Sequence, residues 1–311
     1  MITENIRLGY ACINMTLQKR KEKITCNRGM IKRTFLKKGI NYASELALKN
    51  CRDLEPIIRW NHQKGIKVFR MTSCLFPWAS EYELTDLPDY EEICKALKVA
   101  GDLAKSYDQR LSFHPGPFNI LSSPKEHVVK NSYIDLEVHG KIMDLMGMPR
   151  NHYAKINIHV GAAYGDRNAS IERFVKNFSG LSESVRSRLT VENDDRENLY
   201  STVDLYEGVY KKAGIPIVFD FHHHKFCNRQ NLSEQEALEM AMSTWGDIIP
   251  CTHYSESKRN KEGHQVVENA HSDYIYDKIN SYGNRIDIVV EAKAKELALI
   301  KYCEDHLLNA A

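Results

Sequence analysis

The sequence predicts an α/β protein folded as a single (β/α)8 TIM barrel, and three observations support this prediction. Short apolar runs alternate eight times along the chain with longer segments of helical periodicity. A connection that contains a helix is long enough to join parallel strands. A chain of 311 residues also fits one such barrel, which typically takes about 250 residues. We therefore expect residues 1–311 to form a single domain.

The predicted strands are short apolar stretches bounded by glycine or polar residues. Strands buried on both faces of a parallel sheet have this composition, because neither face meets water. The eight predicted strands are Ile6–Cys12, Ile66–Met71, Arg110–Gly116, Lys155–Gly161, Leu189–Asn193, the stretch Pro216–His224, Ile248–His253 and Ile286–Glu291.

Segments with apolar residues at helical spacing separate these strands. Ser233, followed by Glu236 three residues later, has the capping-box pattern of a helix start. The predicted helices cover residues 41–64, 89–106, 132–146, 169–186, 200–212, 233–243 and 293–307. Strands and helices therefore alternate along the whole chain.

Composition and charge narrow the class of protein only partly. A net charge of +2 and a pI near 8.0 neither require nor exclude a nucleic-acid partner. No apolar run approaches the roughly 18 residues of a membrane span, and the first residues lack the pattern of a signal peptide. The eight cysteines contain no CxxC pair, which favours reduced thiols. We expect a cytoplasmic (nucleoid) or nuclear monomer that is neither secreted nor bound to a membrane.

The most informative residues stand at the carboxyl ends of the predicted strands, where barrels of this type build their active sites. From the third strand onward, every such end carries histidine, aspartate or glutamate, which are costly to bury unpaired. Imidazole nitrogen and carboxylate oxygen are common ligands of divalent zinc, manganese and iron. The residues are His114, His159, Glu192, Asp220, His223, His253 and Glu291. Their recurrence predicts a metal cluster.

Each of these residues also has a simpler interpretation when it is taken alone. His114 precedes a Pro-Gly pair, where a histidine often caps a turn. The three consecutive histidines at 222–224 are compatible with a solvated loop. Glu192 opens a charged stretch that fits an exposed loop, and Glu291 has Lys293 as an alternative partner. The metal cluster is favoured because the same arrangement recurs in six consecutive strands.

Six motifs around these residues occur in a fixed order. They are Phe113–Gly116, His159–Gly161 with Tyr164–Asp166, Val191–Asp194, Asp220–His223, His253–Ser255 and His271–Tyr274. As an ordered set they resemble the UV damage endonuclease family, enzymes of an alternative excision repair that nick DNA beside ultraviolet photoproducts. The resemblance extends over nearly the whole chain, from Leu8 to Lys293.

The resemblance implies a barrel similar to that of endonuclease IV, with a site for up to three divalent metal ions. Manganese is the metal usually discussed for the family, and Zn²⁺, Co²⁺ and Mg²⁺ are alternatives. The matching motifs assign the ligands to three groups, the first two of which share Glu192: His114, His159 and Glu192; Glu192, Asp220, His271 and Glu291; and His223 with His253. The carboxylates among them, Glu192, Asp220 and Glu291, are also the predicted catalytic residues.

Three further residues are candidates for ligands or for neighbours of ligands. Strand alternation would place His222 beside Asp220, whereas the family's Asp-x-x-His spacing favours His223, which we follow. Glu81 stands where some members have a histidine. Cys251 stands where some have a modified, metal-binding lysine, and either a thiolate ligand or a buried inert thiol fits that position.

The resemblance also implies residues that contact DNA. Pro117 and Phe118 follow the His-Pro-Gly motif, where family members commonly have glutamine and an aromatic residue that fill the gap left by extruded nucleotides. Phe118 keeps the stacking surface, although a core aromatic is the alternative, and Pro117 lacks the amide. Tyr10 and Asn14 match positions that line the lesion pocket.

A basic segment follows the first predicted strand. Between Lys19 and Lys38 it holds nine Lys or Arg and one Glu. Together with Lys258, Arg259 and Lys261 it could contact phosphates, which are bound without regard to base sequence. Solvated surface is the simpler interpretation of such a run.

The predicted function is hydrolysis of a phosphodiester, to which a metal cluster is suited. The resemblance implies in-line attack by an activated water that nicks double-stranded DNA on the 5′ side of an ultraviolet lesion, leaving 3′-hydroxyl and 5′-phosphate ends. The alternatives are an abasic-site nuclease of the endonuclease IV type, a sugar isomerase on the same scaffold, and a damaged-DNA binding protein with impaired cleavage.

Overall fold

Eight short strands pair in parallel within two sheets of the computed structural model, which describes residues 5–308. The strands are β1 (Ile6–Ala11), β2 (Val68–Arg70), β3 (Arg110–Ser112), β4 (Ile156–Ile158), β5 (Leu189–Glu192), β6 (Ile217–Val218), β7 (Cys251–Tyr254) and β8 (Ile286–Val290). The larger sheet has the order β3-β2-β1-β8-β7, and the smaller one the order β4-β5-β6. All eight strands form where the sequence predicts them, mostly with fewer residues.

Single residue pairs join the two sheets at both of their edges. Phe113, just after β3, forms a parallel bridge with Ile156 of β4. Asp220, just after β6, forms a parallel bridge with His253 of β7, and the amide of His253 donates to the carbonyl of Phe219 at 2.9 Å. The fold is therefore an α/β arrangement with a curled parallel sheet, in which continuous strand pairing extends over five strands.

Helices connect the strands, as the alternating pattern predicts. The α-helices are α1 (Met15–Gln18), α2 (Lys32–Gln63), α3 (Tyr90–Ser106), α4 (Glu126–Leu145), α5 (Arg167–Phe178), α6 (Glu183–Arg186), α7 (Thr202–Leu205), α8 (Lys211–Ala213), α9 (Phe221–His224), α10 (Glu234–Met242), α11 (Lys258–Glu262) and α12 (Glu296–Cys303). The predicted capping box of Ser233 and Glu236 forms at the start of α10.

Three predicted helices differ in detail from the structure. Helix α2 begins earlier than expected but is broken at Gly39, where φ is +67°, and its regular part is the predicted one. Predicted helix 169–186 is divided into α5 and α6. Predicted helix 200–212 contains a π-helical turn at Tyr206–Tyr210 between α7 and α8.

The stretch Pro216–His224 departs most from its predicted form. Only Ile217–Val218 pair as a strand, and the three histidines lie on the one-turn helix α9. The cause is Asp220, whose Oδ1 accepts hydrogen bonds from the backbone amides of His222 and His223, both at 2.8 Å, and so caps the helix. The alternative of a solvated loop is wrong, because all three histidines are buried.

The amino ends of the strands are closed by a buried ion-pair network. Arg110 of β3 lies 3.1 Å from Asp287 of β8, and both side chains are fully buried. Arg7 of β1 reaches the same carboxylate at 2.6 Å. Because buried charges are tolerated only when they are paired, this network ties three strands together at the end remote from the histidines.

The described helices include none that is long and apolar enough to cross a membrane. The eight cysteines are free thiols. Apolar side chains of the strands and of the inward faces of α2, α3 and α4 form one large buried cluster. This packing fixes the strand ends that carry the candidate site.

Candidate metal centre

Histidine and carboxylate side chains from six consecutive strands converge at the carboxyl ends of the strands. Two groups of ligand-type atoms each lie within 4.8 Å of one another, and Glu192 belongs to both groups. The groups are His114, His159 and Glu192, and Glu192, Asp220 and His253. Residues separated by more than a hundred positions in the sequence therefore form one cluster.

The carboxylate of Glu192, the last residue of β5, is the common neighbour in this cluster. Its Oε2 lies 3.1 Å from Nε2 of His114 and 2.9 Å from Nδ1 of His253, and its Oε1 lies 3.3 Å from Nδ1 of His223. Nδ2 of Asn157 on β4 donates a hydrogen bond to Oε2. Glu192 is only 1% exposed, so the alternative of an exposed charged loop is wrong.

Glu291, directly after β8, is the second carboxylate of the centre. Its Oε1 pairs with the guanidinium of Arg70 and lies 3.2 Å from Nδ1 of His253. Its Oε2 lies 3.7 Å from Nδ1 of His271. Within the described chain, the cationic partner of Glu291 is Arg70 rather than Lys293.

Asp220 and His223 enter the centre from helix α9. Asn193 holds Asp220 in place, since its Oδ1 accepts from the Asp220 amide at 2.8 Å and its Nδ2 donates to the Asp220 carbonyl at 3.0 Å. His223 faces Glu192, whereas Nε2 of His222 lies 3.2 Å from the carbonyl of Asn269. The geometry therefore favours His223 over His222 as a ligand.

Asp220 Oδ2 is a buried ligand-type atom without a hydrogen-bond partner among the described residues. Glu192 Oε1, His159 Nδ1 and His253 Nδ1 also lack a hydrogen bond of good geometry, although each lies within 3.3 Å of an ion-pair partner. A buried atom that is left unpaired costs about 1–3 kcal/mol. Carboxylate oxygens and imidazole nitrogens are ligands that divalent transition metals accept. The residues present thus fit a site for divalent metal ions, and a cation would satisfy the unpaired atoms.

The pKa values of two carboxyl groups of the cluster, Asp220 and Glu192, are shifted in opposite directions. Burial, together with the charge of Glu192, raises the pKa of Asp220 to about 7 against the influence of His223. Burial also acts to raise the pKa of Glu192, but the contact with Nδ1 of His253 and the positive charge of His159 hold that pKa well below its ordinary value. At neutral pH the centre therefore combines one firmly ionised carboxylate with one that is poised between its two forms.

The pKa values of the imidazoles of His253 and His159 are also shifted in opposite directions. Burial and the ammonium of Lys155 lower the pKa of His253 to about 3. Burial acts likewise on His159, but the carboxylates of Glu192 and Asp194 overcome it and raise its pKa to about 10. His253 is neutral at pH 7, but the Lys155 ammonium donates to its Nε2 and so keeps its proton on Nδ1. Both His253 Nδ1 and His159 must therefore give up a proton before they can bind a cation.

A cavity of about 760 Å³ opens above the cluster. This volume lies within the range of about 300–1,000 Å³ that is common for ligand sites. Its wall contains Arg70, His114, Pro117, His159, Tyr164, Glu192, Asp194, Arg196, His223, His271 and Glu291, among other residues. A substrate that enters this cavity therefore meets the ligand cluster directly.

Phe118 lines a second cavity of about 780 Å³, which also contains Trp78 and Glu81 on its wall. Its side chain is 62% exposed, so the alternative of a core aromatic is wrong. The ring lies so close to Gly116 that a Cβ atom there would come within 2.5 Å of it. Gly116 thus allows the exposed ring to lie over the backbone next to the metal centre.

Four candidate residues lie away from the ligand groups. Tyr10 and Asn14 are buried; the Tyr10 hydroxyl accepts from Asn14 at 2.9 Å and donates to Asn61 at 2.8 Å. Neither of the two cavities described above has them on its wall, so their expected place in a lesion pocket has no counterpart there. Cys251 is buried on β7 among apolar side chains, and exposed Glu81 belongs to the second cavity.

Four polar residues that contact the ligands were not predicted from the sequence: Arg70, Lys155, Asn157 and Asn193. Lys155, Asn157 and His159 alternate along β4 and its ends, a spacing that puts their side chains on one face of the sheet. Arg70 is the last residue of β2, where it is a polar strand end like those of the later strands. Both signals were present in the sequence.

The fold and the site define an α/β protein with a candidate metal centre at the carboxyl ends of its parallel strands, the arrangement of metal-dependent barrel enzymes. The chain belongs to the UV-damage endonuclease family. The family model described as UV-endonuclease UvdE matches residues 6–310.

Relatives of known name agree with this membership. The UV-damage endonuclease of Schizosaccharomyces pombe is 33% identical over 97% of this chain, which spans 51% of that protein, about half its length. The putative UV-damage endonuclease of Acanthamoeba polyphaga mimivirus is 32% identical, with 95% of this chain and 90% of that protein covered. The UV DNA damage endonuclease of Bacillus mycoides is 33% identical, with 83% of this chain and 81% of that protein covered.

Solved structures support the family and the fold. The crystal structure of SacUVDE superimposes with a TM-score of 0.82 at 28% identity and covers 97% of this chain and 98% of that one. A putative xylose isomerase from Rhodospirillum rubrum superimposes with a TM-score of 0.54 at 11% identity, over 82% of this chain and 93% of that one. The second likeness concerns the fold alone.

Proposed function

We propose that this protein is a metal-dependent DNA endonuclease that nicks double-stranded DNA on the 5′ side of ultraviolet photoproducts. The nick leaves 3′-hydroxyl and 5′-phosphate ends. The observation that carries the proposal is the convergence of histidines and carboxylates on Glu192 beneath an open cavity, in a chain of this family. The names of the relatives supply the ultraviolet lesion as the feature of the substrate.

The proposed cofactors are up to three divalent ions, with Mn²⁺ as the expected metal and Zn²⁺, Co²⁺ or Mg²⁺ as alternatives. Their ligands would be His114, His159 and Glu192 for one ion; Glu192, Asp220, His271 and Glu291 for a second; and His223 with His253 for a third. The first group is supported by the geometry, whereas His253 lies with Glu192 and Asp220 and could serve the second ion as well. When bound, such ions lower the pKa of water, hold the scissile phosphate and neutralise charge on the attacking and leaving oxygens.

The protein's own residues arrange this chemistry. Asn157 and His253 hold Glu192 from two sides, so that its carboxylate keeps a fixed orientation between the ligand groups. Asn193 fixes the backbone of Asp220, whose Oδ1 is used as a helix cap and whose Oδ2 remains available. The catalytic carboxylates are therefore positioned before substrate binds, which reduces the reorganisation needed during the reaction.

We propose that the eight strands enclose a complete (β/α)8 barrel. The parallel bridges Phe113–Ile156 and Asp220–His253 at the two sheet edges support closure. The described residues would then act as one catalytic domain. We also expect the protein to act as a monomer in the cytoplasm, on the nucleoid, or in the nucleus, where its DNA substrate lies.

Contacts to DNA would come from the face that carries the cavity. The exposed ring of Phe118 can enter a gap in the base stack, whereas Pro117 offers no amide to the opposite strand. Lys32, Arg33 and Lys37 at the start of α2 are exposed and provide positive charge for phosphates. Shape and charge of this face thus suit a distorted duplex.

Nicking of ultraviolet-irradiated supercoiled plasmid tests the proposal. With Mn²⁺, the protein should relax irradiated plasmid and leave unirradiated plasmid intact, and chelation should stop the reaction. A DNA polymerase should extend the nick directly, because the 3′ end is a hydroxyl. Unirradiated plasmid that is nicked equally fast would contradict the lesion specificity.

Nicking and binding of short duplexes with a single defined lesion distinguish the alternatives. An abasic-site nuclease would prefer a duplex with a single abasic site to one with a single photoproduct. A damaged-DNA binding protein would retain the photoproduct duplex without nicking it. A sugar isomerase would do neither, and the exposed position of Phe118 serves no evident purpose in such an enzyme.

A further inference from the structure

Arg70 places a permanent positive charge on the wall of the cavity above the metal centre. It is the last residue of β2, and 14% of its side chain is exposed. Its NH1 pairs with Oε1 of Glu291, one of the proposed ligands. The proposed ligand set makes no use of this guanidinium, although it lies among the ligands.

A second buried arginine shows what a purely structural role looks like in this protein. The guanidinium of Arg110 is fully buried and donates to the carbonyls of Tyr153, Ile249 and His152 and to the carboxylate of Asp287. Its hydrogen-bonding capacity is thus used inside the protein. Arg110 is not on the wall of either cavity described above.

Arg70 differs from Arg110 in this respect. In residues 5–308, the side-chain hydrogen bonding of Arg70 goes to Glu291 alone. A guanidinium has five N–H donors in a planar fork that matches the oxygens of a phosphate. Arg70 therefore brings unused donors to the wall of the cavity in which the scissile bond would lie.

Charge balance points to an anionic partner for these donors. Once Glu291 binds a divalent cation, the cation and the guanidinium of Arg70 share one carboxylate. Two positive groups held close together in a buried site repel each other unless a further anion arrives. A phosphodiester carries one negative charge and would lie between them.

We propose that Arg70 binds the scissile phosphodiester of DNA, donating from its guanidinium to a non-bridging phosphate oxygen while Glu291 holds the arginine in place. This inference rests on the proposed function, since it takes DNA as the substrate. It assigns to the end of β2 a substrate-binding role. The competing interpretation is that Arg70 only neutralises Glu291 when metal is absent.

The test compares the wild-type protein with Arg70→Gln, Arg70→Lys and the control Arg150→Gln. Arg150 forms an exposed ion pair with Asp144 at 2.7 Å in the segment before β4, at the opposite end of the strands. Three quantities are measured on each variant: Mn²⁺ affinity by calorimetry, single-turnover nicking of a duplex with one photoproduct, and the salt dependence of duplex binding.

Arg70→Gln should bind Mn²⁺ at least as tightly as the wild type, because the cation that competes for Glu291 is gone. Its nicking rate at saturating DNA should fall by about 100-fold, the usual effect of losing one donor to a developing charge. The slope of log K against log salt should become shallower by about 1, which corresponds to one lost phosphate contact. Arg70→Lys should recover the slope and only part of the rate.

Two results would overturn the proposal. In the first, Arg70→Gln nicks DNA at the wild-type rate and shows the wild-type salt slope, which means that Arg70 only neutralises Glu291. In the second, both Arg70→Gln and Arg70→Lys lose Mn²⁺ binding, which means that Arg70 supports the metal centre. Failure of the wild-type protein to nick irradiated DNA would instead refute the proposed function. In that case the salt slope of duplex binding would still decide whether Arg70 contacts a phosphate.

Discussion

Nε2 of His253 lies 3.0 Å from Nζ of Lys155, deep in the interior of the protein. The other ring nitrogen, Nδ1, lies 2.9 Å from Oε2 of Glu192. The lysine therefore engages one side of the imidazole and leaves the other side to the cluster. Because an ammonium can only donate, Lys155 keeps the proton of a neutral His253 on Nδ1, the nitrogen that faces Glu192.

Lys155→Met should strengthen metal binding while the strand stays buried. The ammonium of Lys155 donates to Nε2 of His253 and so keeps the proton of the neutral ring on Nδ1, the nitrogen that faces Glu192. Methionine keeps the length and apolar character of the stem but removes this donor and its positive charge, so Nδ1 can offer its lone pair to a cation. We expect an increase in Mn²⁺ affinity on the order of 10-fold, measured by calorimetry. Lys211→Met, a change on an exposed side chain that pairs with Glu207 in the helical segment before β6, is the control and should bind Mn²⁺ normally. Equal affinities in the two variants would contradict the role of Lys155.

Glu192→Gln should abolish nicking and leave the fold intact. The amide cannot bridge two cations, so both ligand groups lose their shared member. The nicking rate should fall more than about 100-fold and the Mn²⁺ stoichiometry should decrease, with little change in the circular dichroism spectrum. The control is Glu197→Gln, an exposed glutamate in the loop after β5. Full activity in Glu192→Gln would remove Glu192 from the centre.

Periodicity and strand-end chemistry suffice to predict the strands and most of the cluster in this protein. The residues His114, Glu192 and Glu291 are recognisable because each polar residue ends an apolar run, and parallel strands bring such ends together. The helical geometry of α9 is not predictable in this way, because it depends on where the Asp220 carboxylate points. The buried position of the Tyr10 hydroxyl is also not predictable from the sequence pattern, since it depends on a hydrogen bond to the distant Asn61.

Phe118→Ala should weaken binding to a duplex with a photoproduct and spare binding to metal. An exposed aromatic ring that stacks on a base contributes about 1–3 kcal/mol, so the dissociation constant should rise about 10-fold or more. Val99→Ala removes an exposed apolar side chain on the outer helix α3 and is the control. Unchanged affinity in Phe118→Ala, measured by fluorescence anisotropy, would exclude the ring as a wedge.

Neutralising the start of α2 should reduce the salt dependence of DNA binding. Lys32 and Arg33 are exposed, and each phosphate contact adds about 0.9 to the slope of log K against log salt. The double change to Gln should lower the slope by up to about 2 for damaged and undamaged duplex alike. Lys98 and Lys105, which pair with Asp102 on α3, give the matched double control. A slope equal to that of the wild type would mean that this segment is solvated surface.

The stability of the metal-free protein should fall as the pH rises through neutrality, because of Asp220. Burial raises the pKa of this carboxyl from 3.8 to about 7, so the folded state binds a proton that the unfolded state has released. This contribution to the free energy of unfolding is complete below about pH 4 and is lost as the pH passes 7. Between pH 5 and pH 8 the loss should be on the order of 3 kcal/mol, since each pKa unit corresponds to about 1.4 kcal/mol.

Urea unfolding in the presence of chelator measures this effect as the difference between the wild type and Asp220→Asn, whose amide does not titrate. The difference should decrease steadily from pH 5 to pH 8. Asp102→Asn is the control: its exposed carboxylate has a pKa lowered by Lys98, so it stays ionised throughout that interval and its difference from the wild type should be constant. Excess Mn²⁺ should oppose the loss, because a cation binds the carboxylate only after the proton has left. Parallel curves for the wild type and Asp220→Asn would show that Asp220 is ionised throughout and that the cluster, not burial, controls its charge.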